Sequence, residues 1–264
     1  MTDDDEVADR RVRREPPKFR RGAVRRLAEL SPHMVRVTLG GPELEGFPVP
    51  DPAASVRLLL PPPGSDRLVM PEWNSNEFLL PGGDRAVIRT FTPRRVDPAA
   101  GEMDLDVVLH DGGVASRWVE GAEVGTEGAI SGPGRGYEID TAASDYVLGG
   151  DETAIPAITQ LLESLPAEMA VFTHIEVARP DARIDLPDHP NATVRWHDQP
   201  DGAPPGGALV AAIEAAEMSS GTKIWAAGEA AAMQRLRRHL FESRGLDRGR
   251  ANVRGYWKHG RAGS

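Results

Sequence analysis

The chain has 264 residues, 40% of them hydrophobic, and a formal net charge of −9 at pH 7. This length allows one large domain or two ordinary ones, and the hydrophobic fraction is sufficient for a buried core. The acidic balance argues against a nucleic-acid-binding protein, which needs a basic face. Because the sequence contains no cysteine, disulfides, thiolate nucleophiles and iron–sulfur clusters held by this chain are excluded.

The acidic N-terminal segment and the histidines give no signal for membrane targeting or metal binding. The first nine residues lack the apolar region of a signal peptide, and no apolar run approaches the about 18 residues of a membrane span. The seven histidines show no paired spacing, so we expect no resident metal. We therefore expect a cytoplasmic, monomeric protein without nucleic-acid or membrane partners, in which any redox chemistry depends on an organic cofactor.

The first half of the chain has the pattern of an antiparallel β domain. Residues 1–18 mix charges, end near two prolines and predict a disordered tail. Short segments of alternating polarity then follow, separated by turns rich in proline and glycine. These predicted strands cover residues 34–39, 55–60, 86–92 and 103–110. We expect a barrel or sandwich domain over residues 19–140.

From about residue 140 the pattern changes to alternating strands and helices. The predicted strands cover residues 145–150, 170–177, 192–196 and 223–227. The predicted helices cover residues 153–164, 207–218 and 230–244. This alternation predicts a mostly parallel sheet with crossover helices, which we assign to a second domain over residues 141–264.

The segment 89–92 reads Arg-Thr-Phe-Thr at the end of a predicted strand. On a strand, Arg89 and Phe91 share one face, and Thr90 and Thr92 share the other. The arginine is suited to a phosphate and the phenylalanine to packing against a flat ring. The alternative is an ordinary barrel strand with one exposed arginine.

The segment 110–118 joins the end of a predicted strand to the start of a helix. Gly113 lets the backbone approach a ligand without a Cβ clash. Ala115 and Ser116 would open the helix with free N–H groups, which attract anions, and Ser116 adds a hydroxyl. The alternative is a structural connection that buries Trp118.

Read together, these two segments offer a cation, an aromatic ring and backbone donors. A ligand with two phosphates and a flat ring would use all three. The combination favours a flavin dinucleotide, and therefore redox chemistry.

Two further segments lie at the ends of predicted parallel strands, where open α/β sheets bind ligands. In segment 149–156, Asp151 or Thr153 can cap the following helix. Because Asp151 and Glu152 would repel a pyrophosphate, we expect this loop to face the nicotinamide and ribose of a dinucleotide rather than its phosphates. Simple capping with surface carboxylates is the alternative. In segment 226–231, small residues leave room for a ligand, and Glu229 can accept a hydrogen bond from it.

Segment 255–260, with the sequence Gly-Tyr-Trp-Lys-His-Gly, combines aromatic and cationic side chains near the C-terminus. Aromatic rings favour burial, and cations favour an anionic partner. We therefore favour a role in a binding site over packing of a tail.

Five segments, in chain order, resemble the motifs of the siderophore-interacting protein family, a branch of the ferredoxin-reductase-like flavoproteins. They are residues 89–92, 108–118, 150–157, 225–230 and 255–258, and the resemblance covers nearly everything from about residue 19 to residue 260. The family's first motif has a tyrosine at the position of Phe91. The missing hydroxyl removes one hydrogen bond, worth about 1 kcal/mol, so FAD is expected to bind more loosely.

The resemblance implies a two-domain fold, with an N-terminal antiparallel six-stranded β-barrel that binds FAD and a C-terminal Rossmann-like parallel sheet that binds NAD(P)H. It also implies an FAD-dependent ferric-siderophore reductase. NAD(P)H would reduce FAD, and electrons would then pass singly to Fe(III) in a siderophore, which releases Fe(II). Because the flavin carries out the transfer, no side chain is expected to be catalytic.

The expected ligand contacts fall into three sets. FAD is expected to contact Arg89, Phe91, Thr92, His110, Gly113, Ala115, Ser116, Trp118 and Thr153. NAD(P)H is expected to contact Gly150, Asp151, Glu152, Arg179, Gly228 and Glu229. The ferric siderophore is expected to contact Arg94, Arg254, Tyr256, Trp257, Lys258 and His259.

Arginines after the strand at 170–177 bear on the choice of electron donor. Arg179 and Arg183 could reach a 2′-phosphate, which predicts a preference for NADPH over NADH. Two other functions stay open at this point. One is a general NAD(P)H:flavin or quinone reductase, and the other is a non-catalytic cytosolic carrier of ferric siderophores.

Overall fold

A computed structural model describes residues 18–74 and 76–260, and its first half is a curled antiparallel sheet. Except for Lys18, the tail predicted at residues 1–18 lies outside the described residues. The seven strands, in spatial order, are β6 (Ile88–Phe91), β3 (Val56–Leu59), β9 (Glu127–Ser131), β1 (Arg20–Ser31), β2 (Met34–Gly40), β8 (Glu102–Val108) and β7 (Pro93–Asp97). A separate small hairpin pairs β4 (Glu72–Trp73) with β5 (Phe78–Leu79). Helix α1 (Val114–Glu120) follows β8.

The two edges of this sheet belong to one stretch of chain. Strand β6 pairs with β3, whereas β7 pairs with β8, and only Thr92 separates β6 from β7. The sheet must therefore curl until its two edges meet at this residue. The expected antiparallel barrel is confirmed, but with seven strands instead of six, because the stretch 88–97 is divided at Thr92.

The second half of the chain is a five-stranded parallel sheet with the order β12-β11-β10-β13-β14. Its strands are β10 (Asp145–Asp151), β11 (Ala170–Val177), β12 (Ala192–Asp198), β13 (Thr222–Glu229) and β14 (Ala251–Trp257). The first four were predicted. The fifth was not, and it shows that the motif starting at Gly255 completes an edge strand of the sheet.

Three helices cover the parallel sheet: α2 (Ile155–Ser164), α3 (Gly207–Ala215) and α4 (Ala230–Arg238). The predicted helix 153–164 begins as a short 3-10 turn over Glu152–Ala154, and the one predicted at 230–244 changes to a π-helical turn after residue 238. Glycines let the helices approach the central strand. A Cβ on Gly149 would lie only 2.5 Å from the Cδ1 atom of Ile213 in α3.

Helix α2 joins the parallel sheet to the barrel. The side-chain amide of Gln160 donates a hydrogen bond to the carbonyl of Pro93 (2.6 Å) and accepts one from the N–H of Ala53 (2.9 Å). One turn later, Glu163 forms a bidentate ion pair with Arg94, at 2.6 and 3.1 Å. The two residues that directly follow Thr92 are therefore bonded to α2, the helix that packs on the parallel sheet.

Candidate functional site

Arg89 places an uncompensated cation in a half-buried position on β6. Its Nη1 atom donates a hydrogen bond to the carbonyl of Ile88 at 2.8 Å. Within the part of the chain that the structure describes, no carboxylate lies within ion-pair distance of it, and burial lowers the pKa of its guanidinium. A half-buried guanidinium without a counter-ion favours binding of an anion.

Phe91 and Thr92 complete this motif at the seam of the barrel. Phe91 lies opposite Val56 and packs against the barrel core while staying partly exposed. Thr92 is buried, and its hydroxyl lies beside the phenol of Tyr256 in β14. Burial raises the pKa of Tyr256, although the nearby Thr92 hydroxyl opposes that rise. The structure therefore brings the 89–92 motif against the C-terminal motif.

The turn between β8 and α1 has little free space. The Ser116 hydroxyl is only 1% exposed, accepts a hydrogen bond from the N–H of His110 (3.0 Å) and donates one to the carbonyl of Val108 (3.4 Å). A Cβ on Gly113 would lie 2.6 Å from the Ser116 Oγ atom and 2.7 Å from the His110 Nε2 atom. Ser116 thus shapes the turn, and no side chain caps the helix that starts at Val114.

Trp118, one turn into α1, packs against the barrel core beside Gly128. Its Nε1 atom is buried and has no hydrogen-bond partner among the described residues. Phe91, Ala115 and Trp118 pack against the same barrel core. A single FAD site made of both segments stays a prediction.

Asp151, the last residue of β10, is a buried carboxylate bonded on both oxygens. Its Oδ1 atom accepts hydrogen bonds from the N–H (3.0 Å) and hydroxyl (2.5 Å) of Thr153. Its Oδ2 atom accepts from the N–H of Glu229 (3.0 Å) and from the Trp257 Nε1 atom (2.7 Å). Burial raises the pKa of Asp151, and these hydrogen bonds oppose the rise. The predicted capping by Asp151 is present, with the carboxylate directed into the protein.

Glu152 and Glu229 are also bonded to backbone groups of this chain. Glu152 accepts a hydrogen bond from the N–H of Ala178 at 2.5 Å, and burial raises its pKa. Glu229 accepts from the N–H groups of Ala232 (2.9 Å) and His259 (3.2 Å). Burial works against ionisation of Glu229, but the N–H donors outweigh it and lower the pKa. The oxygens expected to meet a dinucleotide therefore already accept hydrogen bonds within the protein.

Sequence reasoning missed Glu176, a third strand-end carboxylate. It is buried near the end of β11 and accepts hydrogen bonds from the N–H groups of Gly206 (2.5 Å) and Leu209 (2.8 Å), at the start of α3. The available signal was a charged residue within an otherwise apolar strand, which requires a partner when buried. Strands β10 and β13 thus end in a carboxylate and β11 carries one next to its last residue, and each of the three stabilises a turn or helix start.

The C-terminal motif, residues 255–260, packs its two aromatic rings and exposes the residues around them. The Tyr256 ring packs edge-on against Trp225, with centroids 6.4 Å apart, and the Trp257 ring lies 6.3 Å from that of His259. Lys258 lies between Trp257 and His259 and is exposed. The motif therefore presents Lys258 and His259 to solvent beside two partly buried aromatic residues.

The cationic side chains expected to bind ligands differ in whether they already form an ion pair with a carboxylate. Arg94 is paired with Glu163, and Arg183 is paired with Asp198 (2.6 Å). Arg254 donates to the Asn252 side chain at 3.0 Å and lines an open cavity of about 490 Å³ along β14 with Arg237 and Arg248. Like Arg89, the predicted cations Lys258, Arg179 and Arg254 have no carboxylate partner in the described ranges.

Two histidines form a pair across the neighbouring strands β11 and β12. Neither was identified from the sequence. The His174 Nδ1 and His197 Nε2 atoms are 3.0 Å apart, and the two rings stack with centroids 5.3 Å apart. Burial, assisted by His197 and Arg195, lowers the pKa of His174 to about 4. Burial also lowers the pKa of His197. Both rings are therefore neutral at pH 7, and one donates to the other.

Residues 18–74 and 76–260 also lack a grouped set of metal ligands and a membrane-spanning helix. These residues contain no cluster of three or more histidine or acidic side chains arranged to hold a metal ion. None of their helices combines the length and apolar character needed to cross a membrane.

Comparison with known proteins agrees with this geometry. Residues 23–137 match the family model described as "Siderophore-interacting FAD-binding domain", and residues 143–260 match the one described as "Siderophore-interacting protein". An uncharacterized protein of Mycobacterium tuberculosis is 37% identical over 247 residues, covering 88% of this chain and 87% of that protein. The ferric vibriobactin reductase ViuB of Vibrio cholerae is 27% identical, covering 88% of this chain and 86% of that protein.

A solved structure matches the entire arrangement of the two sheets. The crystal structure of a siderophore utilization protein from T. fusca superimposes with a TM-score of 0.82 and 35% sequence identity, covering 94% of this chain and 95% of that one. With the two family models matched in order along the sequence, this chain belongs to the siderophore-interacting protein family.

Proposed function

We propose that this chain is an NAD(P)H-dependent flavoprotein reductase that reduces Fe(III) held by a siderophore and releases Fe(II) in the cytoplasm. The observation that carries the proposal is the half-buried, uncompensated guanidinium of Arg89 beside Phe91 and Thr92. It lies within the segment matched by the siderophore-interacting FAD-binding model. The similarity to a protein named ferric vibriobactin reductase supports the choice of substrate.

The residues of the site fit FAD in their chemistry. Arg89 would bind one phosphate of FAD. The start of α1 has no side-chain cap and would offer its backbone N–H groups to the other phosphate. The atoms around Gly113, the residue before α1, leave no room for a Cβ. Phe91 would pack against the flavin ring beside the buried hydroxyl of Thr92. When bound, FAD supplies the ability to accept a hydride and to pass electrons on one at a time. Ferrous iron is bound less tightly by the hard oxygen donors of a siderophore, which favours its release.

The proposal is tested with the purified protein. We expect it to bind FAD, to lose its yellow colour anaerobically on addition of NAD(P)H, and to regain the colour when a ferric siderophore is added as Fe(II) appears. Equal turnover of free flavin or quinones would favour the general reductase instead. Binding of ferric siderophores without any bleaching would favour a carrier and contradict the proposed reaction.

Arg179 provides a test of the electron donor. It is exposed just beyond β11 and has no carboxylate partner in the described residues, so it is available for the 2′-phosphate of NADPH. We expect Arg179→Ala to lower kcat/KM for NADPH about tenfold, in line with loss of a charged hydrogen bond, and to change that for NADH much less. Steady-state kinetics with both donors measures this. An unaltered protein that prefers NADH would contradict the assignment.

Lys258 provides a test of the docking of the siderophore. On a chain of charge −9, an anionic ferric siderophore needs a local cation for fast encounter, and Lys258 is exposed next to the packed Tyr256 and Trp257. We expect Lys258→Ala to slow the iron step several-fold, with a weaker dependence on salt. Stopped-flow measurement of both half-reactions checks this.

The matched control for that experiment is Lys223→Ala. Lys223 lies near the start of β13, whereas Lys258 follows the end of the neighbouring strand β14. Lys223 pairs with Asp140 at 3.0 Å. We expect this variant to keep the rate and salt dependence of the unaltered protein. If Lys258→Ala behaves in the same way, Lys258 is not part of the docking surface.

A further inference from the structure

A single carboxylate holds the ends of three neighbouring strands together. Asp151 ends β10, the central strand, and its Oδ2 atom accepts hydrogen bonds from the backbone of Glu229 at the end of β13 and from the side chain of Trp257 at the end of β14. The bond to Trp257, at 2.7 Å, is a direct side-chain link between the centre of the sheet and the C-terminal motif. A tryptophan N–H usually has a hydrogen-bond partner when it is buried, and the Asp151 carboxyl oxygen is that partner here.

The backbone around this carboxylate is arranged to permit the contact. A Cβ on Gly228 would lie 2.6 Å from the Asp151 Oδ2 atom, so a glycine at that position lets the carboxylate reach its donors. The pairing of β13 with β14 also shifts here, since Gly228 lies opposite Gly255 but Glu229 lies opposite Trp257. This bulge makes Tyr256 an extra residue in the strand. Such irregularities redirect side chains at the ends of sheets.

The link matters because of what lies on either side of Trp257. Tyr256 lies beside the buried Thr92 of the proposed flavin site, and Lys258 is exposed as the proposed docking cation. The next residue is held as well, since the N–H of His259 donates to Glu229. Trp257 and His259 are therefore held by the carboxylates that end β10 and β13, and Tyr256 and Lys258 are their chain neighbours.

We infer that Asp151 is a positioning residue: by holding the Trp257 indole, it keeps Tyr256 against Thr92 and presents Lys258 at the same edge. This role differs from the dinucleotide contact expected from the sequence. It deepens the proposed function and rests on it, because it assigns the anchor of the segment that would receive the ferric chelate.

The anchor itself is tested by NMR of the purified flavoprotein labelled with ¹⁵N-tryptophan. The sequence has five tryptophans, and the indole signal that disappears in Trp257→Phe is that of Trp257. We expect this signal to lie downfield and to exchange slowly with solvent. In Asp151→Asn it should move upfield and exchange at least tenfold faster, because one amide oxygen cannot replace two carboxylate oxygens. An unchanged signal in Asp151→Asn would overturn the inference.

The consequence for the reaction is tested with Fe(III) tris(2,3-dihydroxybenzoate) as the probe. We expect Trp257→Phe and Asp151→Asn each to raise the KM for this chelate about tenfold, the size expected for one charged hydrogen bond, with a smaller effect on kcat. The double variant should be no worse than either single one, since both remove the same contact. A shifted indole signal with an unchanged KM would also overturn the positioning role.

The matched control is Asp145→Asn, at the opposite end of the same strand. Asp145 accepts hydrogen bonds from the hydroxyls of Thr222 (3.0 Å) and Ser144 (2.5 Å) and does not contact the C-terminal motif. It should leave the Trp257 signal and the KM unchanged. Should Asp151→Asn fail to fold, Trp257→Phe removes the donor and keeps an aromatic ring at the position, so its KM decides the question. If the unaltered protein reduces no ferric chelate, the proposed function fails, while the indole signal still reports on the anchor.

Discussion

Replacing Arg89 with alanine is expected to weaken FAD binding about tenfold to a hundredfold, because a charged hydrogen bond to a phosphate contributes about 1.5–3 kcal/mol. The structure strengthens this expectation. The guanidinium is half-buried and has no carboxylate partner in the described residues, so nothing else in that part of the protein compensates its charge. The measurement is the flavin content of the purified variant, followed by titration of the apoprotein with FAD and fluorescence detection.

Arg57→Ala is the matched control for Arg89→Ala. Arg57 lies on the adjacent strand β3 opposite Thr90, on the other face of the sheet from Arg89, and is exposed. It should retain full FAD affinity. Arg89→Lys should recover part of the affinity lost in the alanine variant, since it restores the charge without the bidentate geometry. Full flavin occupancy in Arg89→Ala would remove Arg89 from the site.

The free energy of unfolding is expected to fall by up to about 3 kcal/mol as the pH decreases from 6.5 to about 4, because of His174. The pKa of this buried ring is lowered from 6.5 to about 4, so the unfolded chain binds its proton more tightly than the folded one does. The stabilisation is therefore complete above pH 6.5 and is lost as the pH falls towards 4. Burial of His197 acts in the same direction.

Urea unfolding at a series of pH values measures this effect. We expect His174→Gln to flatten the profile between pH 6.5 and 4, since glutamine does not titrate. The control is His189→Gln, because His189 lies in a loop where its ring bonds to the backbone carbonyl of Pro166 and the backbone N–H of Asn191. Superimposable profiles for His174→Gln and the unaltered protein would show that His174 does not cause the pH dependence.

The sequence predicted the class of both sheets because local periodicity is a strong signal for each. Alternation in the first half and continuous apolar runs between helices in the second are visible in any short window. The break at Thr92 was not visible, because it arises when one stretch of chain pairs with two different partners. Strand β14 was missed for a different reason, since its aromatic residues resemble a ligand site.

For the candidate site, residue type located the segments but not the contacts. The association of Thr92 with Tyr256 depends on how the barrel and the parallel sheet pack, which no local pattern encodes. The inward direction of Asp151 and Glu229 is also a tertiary property, because both satisfy N–H groups of neighbouring strands or helices. The pairing of His174 with His197 required the register of β11 and β12.

The contacts of Gln160 with both Ala53 and Pro93 have a consequence for cooperativity. The cluster of buried apolar residues around α2 includes Met34 and Ala53 from the first half of the chain. The two halves therefore share one apolar cluster. Separating them would expose that cluster and leave the Gln160 amide without its partners. The barrel and the parallel sheet should therefore melt in a single transition, and ligands that bind one half should raise the melting temperature of both.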